Sequence, residues 1–220
     1  MNFIHCTNTK AAKKILRTKR INESYFDYEE CLDYWLVRLA RNTSNLPGKY
    51  YYIDPDWETA LYVYWLGKGV YCFSEDNSEM ASRYAKLHRH DTIINIAYDS
   101  DYSYFNLTER LDEVTALLKN EVLKHFEEKK NSDAKLLEAA TAMVELLLLT
   151  IEDEFYEDPY AAAILIGLFL DFKDEEYDVV SNQFLKKNLD YYYDEYHSIR
   201  NTSKIKDISH HGELSNLARS

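Results

Sequence analysis

Three residues of different chemistry stand far apart in this 220-residue chain, each inside a short strand-like run. They are His5 in Phe3-Ile4-His5-Cys6-Thr7, Tyr71 in Gly67-Lys68-Gly69-Val70-Tyr71-Cys72-Phe73, and Glu195 in Tyr193-Asp194-Glu195-Tyr196. A carboxylate stabilises positive charge that grows at a reacting centre, and it does so best where water is excluded. Tyr71 is followed by a second tyrosine, Tyr84, and two electron-rich ring faces hold a flat, electron-poor cation between them. Singly, each residue has a plainer reading: a structural histidine at a strand end, a core tyrosine, a solvated glutamate. Their occurrence together and in this order gives them weight.

The elements that must position them follow from periodicity. Residues 2–6 read as a strand, Thr7 or Asn8 as a cap, and the helix that follows carries Ala11, Ala12, Ile15 and Leu16 on one face. Helices are expected over residues 29–41 and 54–66, with a polar connection at 42–48 and a strand at 49–53 between them. Strands are expected at 70–73 and 92–98, with a helix from Asn77 or Ser78 to Leu87 between those. From Asn106, with Glu109 as its capping-box partner, a stripe of Leu111, Val114, Leu118, Val122 and Phe126 predicts a helix. Two more helices are expected at 132–151 and 160–172, and strands return at 191–199 and 204–208. The fold class is therefore α+β: a mixed sheet from residues 1–105 and 185–220, with residues 106–184 as a helical insertion.

Composition narrows the function. Hydrophobic residues at 46% and charged residues at 29% describe a globular chain. A net charge of −12 argues against broad, charge-driven nucleic-acid binding, which requires cations to replace counterions. One segment runs against that trend: Lys10, Lys13, Lys14, Arg17, Lys19 and Arg20. It is either a solvated helix face or a landing place for the phosphates of a dinucleotide or nucleic acid. The three cysteines, Cys6, Cys31 and Cys72, lack zinc or disulfide spacing and read as reduced and cytosolic. The opening residues lack a signal-peptide pattern, and the apolar runs 142–151 and 161–170 fall short of the roughly 20 residues that span a bilayer. A cytoplasmic protein without membrane contact is expected. His88, His90, His210 and His211 do not have zinc-site spacing, and the acidic runs lack the pattern of a calcium loop, so no metal is expected.

The run Gly67 to Phe73, with Ala81-Ser82-Arg83-Tyr84-Ala85 downstream, resembles the G-K-G-I-Y-F-A-D and S-A-N-Y segments of poly(ADP-ribose) polymerases. His5-Cys6-Thr7 is similar to their H-G-S or H-G-T, and Tyr193 to Ile199 to their Y-N-E-Y-I-V-Y. The resemblance is to the His-Tyr-Glu class of the ADP-ribosyltransferase superfamily, which includes diphtheria-toxin-like enzymes. It implies NAD as co-substrate and a catalytic set of His5, Tyr71 and Glu195. It further implies that Cys6, Thr7, Gly69, Ser78 and Tyr84 contact NAD. His5 would bond the adenosine ribose, Tyr71 and Tyr84 would wall the nicotinamide, and Glu195 would stabilise an oxocarbenium-like centre. Cys6 replaces the family's glycine; only its backbone is required, so its side chain must point away from the nicotinamide. Tyr193 stands where arginine-modifying relatives carry Glu or Gln, which disfavours arginine as acceptor.

The expected function is transfer of ADP-ribose from NAD to a macromolecular acceptor, protein or nucleic acid. By analogy it belongs to a bacterial toxin or phage-defence effector, with an antitoxin or regulatory protein meeting the helical insertion. The alternatives are an RNA 2′-phosphotransferase-like enzyme, whose phosphate-binding arginines are not evident, and a degenerate module that binds ADP-ribose or a partner.

Overall fold

Alternation of apolar residues with smaller polar ones builds the first strands: β1 (Asn2–Thr7), β2 (Val70–Ser74) and β3 (Thr92–Tyr98), the last rich in β-branched isoleucine. The computed structural model describes residues 1–24, 66–117, 175–186 and 192–213, together with residues 120, 166, 167, 169 and 170. The chain divides into two compact units. One comprises Met1–Tyr25, Lys68–Thr108 and Glu176–Ser220; the other comprises Phe26–Gly67 and Glu109–Glu175.

The first unit is a mixed α+β structure. Four further strands, β4 (Tyr104–Asn106), β5 (Val179–Lys186), β6 (Tyr192–Ile199) and β7 (Ile205–Glu213), complete a seven-stranded sheet of order β4-β5-β6-β2-β1-β3-β7. Among the described strands only the β4–β5 pair is parallel. Phe3, Cys72, Ile94, Ile96, Ile199 and Ile208 form the core on one face, and α1 (Thr9–Thr18) lays Ala12, Ile15 and Leu16 against it. Burying each large apolar side chain there contributes about 1.5–3 kcal/mol. The opposite face receives α2 (Ser78–Leu87), whose Tyr84 ring meets Phe73 at 5.4 Å.

Local chemistry sets the helix ends. The Asn8 side chain caps α1 by accepting from the Ala11 amide at 2.9 Å. Lys19 ends α1 in the left-handed region at φ 52°, and its ammonium is tied to Asp207 and to the Ile208 carbonyl of β7.

Two strands fall where the sequence pattern gave no strand. β5 lies largely within the stretch predicted as helical insertion, and Asn106, predicted to cap a helix, is the last residue of β4, paired with Ser181. Helix begins later, over residues 111–117. In the second unit Val114, Ile166, Phe169 and Leu170 are buried, and the Arg110 guanidinium lies 5.1 Å from the Phe169 ring centre. Residues 166, 167, 169 and 170 of the helix expected at 160–172 are helical. The elements expected at 29–41, 49–53 and 132–151, nearly all of that at 54–66, and Cys31 lie outside the described residues. No described helix is long and apolar enough to cross a membrane.

Candidate functional site

β1 pairs with β3 along its whole length, through Thr7↔Thr92, but with β2 only at Phe3↔Ser74 and Ile4↔Phe73. Beyond Ile4 the two strands leave their common ladder. There His5 reaches across, its Nδ1 2.7 Å from the Tyr71 carbonyl oxygen. A carbonyl only accepts, so Nδ1 carries the hydrogen and Nε2 of the neutral ring is left as an acceptor. Burial pushes the His5 pKa below its ordinary 6.5, against the opposing hydrogen bond to Tyr71. The imidazole is therefore neutral at pH 7.

Cys6 and Thr7 follow on the same strand, both buried. The Cys6 thiol donates to the Ala81 carbonyl of α2 at 3.2 Å, and burial pushes its pKa up to about 12. A thiol so protonated is inert as a nucleophile. Cys6 thus turns its side chain toward the helix that carries Tyr84, on the tyrosine side of the sheet.

Tyr71 is half-buried and pairs with Ser198 of β6. Strand alternation puts its side chain on the face shared by Phe73 and Tyr196. Tyr84 joins that face: its ring lies 5.4 Å from Phe73, 5.8 Å from Tyr196 and 4.2 Å from His88. Burial raises the Tyr84 pKa. Ser78 is exposed at the start of α2, and its carbonyl accepts from the Ser82 hydroxyl at 3.0 Å. Gly69 has a local reason to be glycine. Its φ is 134°, and a Cβ there would lie 2.2 Å from Ser198 Oγ and 2.7 Å from the Ile199 carbonyl oxygen.

Glu195 sits on β6 opposite Gln183 of β5. Three polar groups converge on its Oε1: the Tyr104 hydroxyl at 3.0 Å, the Ser181 hydroxyl at 3.1 Å and the Asn106 amide at 3.2 Å. The two hydroxyls are themselves 2.6 Å apart, so one donates to the other and the second donates to Oε1 beside the amide. Burial, and the Glu195 charge beside it, raise the Tyr104 pKa, which keeps the phenol a donor. Oε2 faces the other way, 4.0 Å from His197 Nε2. His197 is buried between Phe3 and Tyr104, at ring distances of 5.5 and 6.2 Å, and neither ring nitrogen has a hydrogen-bond partner among the described residues. Burial lowers its pKa, with the Glu195 charge opposing. The 4.0 Å between Nε2 and Oε2 exceeds hydrogen-bond length, and Nε2 is itself buried.

The three candidate residues thus stand on neighbouring strands, β1, β2 and β6. Glu195 and His197 share the face of Phe3 and Cys72, while Tyr71 and Tyr84 share the other. His197, Tyr104, Asn106 and Ser181 surround Glu195, a role that sequence reasoning missed. Among the described residues no three His, Cys, Asp or Glu side chains gather as metal ligands. The fold and site together define an α+β domain with an anchored carboxylate beside a neutral buried imidazole. No protein-family model, no curated protein and no solved structure matches the chain.

Proposed function

We propose that this protein is an NAD-dependent ADP-ribosyltransferase with an ADP-ribosyltransferase-like core, acting on a macromolecular acceptor. The observation that carries the reading is the strand order: the glutamate-bearing β6, the tyrosine-bearing β2 and the histidine-bearing β1 run side by side. Three sequence runs read separately as a histidine, a tyrosine and a glutamate motif become neighbours only through that topology.

In this reading the bond between nicotinamide and ribose breaks with its electron pair leaving on the nicotinamide ring, and the acceptor attacks the anomeric carbon and loses its proton. Glu195 supplies the anion for the cationic centre, its carboxylate held in place through Oε1. His5, neutral and hydrogen-bonded through Nδ1, offers Nε2 to a ribose hydroxyl. Tyr71 and Tyr84 supply the ring faces for nicotinamide. The test is nicotinamide release from NAD by purified protein, compared with Glu195→Gln.

A second reading is a module that binds ADP-ribose without turnover. It is favoured by the Cys6 thiol, which occupies the tyrosine face where the family has glycine, and by the protein groups already gathered on Glu195 Oε1. Binding of NAD without nicotinamide release would establish it.

A further inference from the structure

The first 22 residues contain six lysines and arginines and no acidic residue, in a chain whose net charge is −12. The structure shows how that charge is displayed. With about 100° between successive helical residues, Lys10, Lys13, Lys14 and Arg17 fall within an arc of about 100° on α1. All four are exposed, while Ala12 is buried and Ile15 and Leu16 pack on the opposite side against the core. None of the four has a carboxylate partner among the described residues, whereas Lys19 at the helix end pairs with Asp207 at 2.8 Å. The stripe from Lys10 to Arg17 rises roughly 10 Å, enough to meet two or three backbone phosphates.

Three kinds of polyanion could meet such a face, and the surroundings distinguish them. A membrane-binding helix needs an apolar face free to enter the headgroup region, but the apolar face of α1 is occupied by the sheet. A protein interface is anchored by aromatic or aliphatic side chains, and the cationic arc has none. A phosphodiester backbone requires only regularly spaced cations, and the acidic remainder of the chain confines its approach to this helix. The stripe follows His5-Cys6-Thr7 directly in the chain, and its helix packs over β3 and β7.

We propose that the exposed face of α1 is a docking surface for the phosphate backbone of a nucleic acid. This deepens the transferase reading by assigning nucleic acid as the acceptor class, yet it is measured without NAD. The experiment is fluorescence anisotropy of short labelled single strands and duplexes with the full chain, over a salt series. With about three phosphates neutralised, affinity is expected to fall roughly 20-fold for single strands and roughly 40-fold for duplexes between about 50 and about 200 mM salt.

Lys13→Gln/Lys14→Gln/Arg17→Gln is expected to remove most of the binding and flatten the salt slope. Lys86→Gln/Arg89→Gln/Lys206→Gln, with the same change in net charge at other exposed sites, is expected to retain both. The proposal is overturned by no binding at low salt, by equal losses in the two triple variants, or by binding of anionic vesicles without binding of nucleic acid. Salt-dependent binding through α1 with no nicotinamide release from NAD would leave this surface standing and remove the transferase.

Discussion

The imidazole of His5 donates through Nδ1 to the backbone carbonyl of Tyr71 at 2.7 Å, at the place where β1 and β2 stop pairing. One hydrogen bond thereby fixes the tautomer, links two candidate strands and leaves Nε2 as an acceptor. His5→Phe keeps the ring and loses both functions. In the transferase reading, NAD turnover is expected to drop roughly 100-fold, with the larger part in KM, since this residue holds the sugar and not the breaking bond. Steady-state kinetics checks the split.

The acid limb of stability follows from wholly or partly buried histidines, among them His90, whose pKa burial also lowers. Burial is the first cause that lowers the pKa of both His5 and His197 below the ordinary 6.5. Between the folded and unfolded values the unfolded chain binds more protons, so stability is full above about pH 6.5 and is lost as pH falls through that value. The melting temperature is expected to decline from pH 7.5 toward pH 5.5, and His197→Phe, between Phe3 and Tyr104, is expected to flatten part of that decline. An unchanged slope in the variant would show that His197 is not among the groups responsible.

Asp178 is a structural anchor, distinct from the site. Burial pushes its carboxyl up, but Lys204 at 2.7 Å, the Ser103 backbone amide at 2.8 Å and the Asn201 amide at 2.7 Å outweigh burial and hold the pKa down to about 2. Asp178→Ala leaves these donors without their acceptor and is expected to destabilise the fold by about 2 kcal/mol at neutral pH. The wild-type contribution is present above the ordinary carboxylate value and disappears only as pH falls toward 2. Denaturant unfolding of both proteins measures the difference.

Gly69→Ala is expected to be more destabilising than a surface change because the added methyl collides with Ser198 Oγ and the Ile199 carbonyl, and the φ of 134° strains any side chain. A loss of about 2 kcal/mol or more is expected. Full stability of the variant would mean that β2 and β6 separate easily at this end.

The strands and helices around His5, Tyr71 and Tyr84 were legible because their buried residues are apolar and regularly spaced. β3 has the bounds that its Ile-rich alternation predicts, and Asn8 caps α1 as its position suggests. β5 was not legible, for a physical reason: Ser181 and Asn182 are wholly buried yet polar, bonded to Tyr104, Glu195 and Thr108. Hydrophobic periodicity cannot find a strand whose core-facing residues serve a carboxylate. Tyr104 and Asn106 were hidden similarly, in a three-residue strand held by long-range parallel pairing with β5. Asn106 offered a credible helix-cap signal, and only tertiary structure turns its amide toward Glu195.

Glu195 gives the most direct test, because Glu195→Gln keeps an Oε1 acceptor for Tyr104, Ser181 and Asn106 while removing the charge. Nicotinamide release from NAD should be measured for the full chain and for this variant, with melting curves alongside. The account predicts measurable release by the native protein and a loss of at least about 100-fold in a variant that stays folded. Equal release by both proteins, or none by the native one with its acceptor supplied, would contradict it.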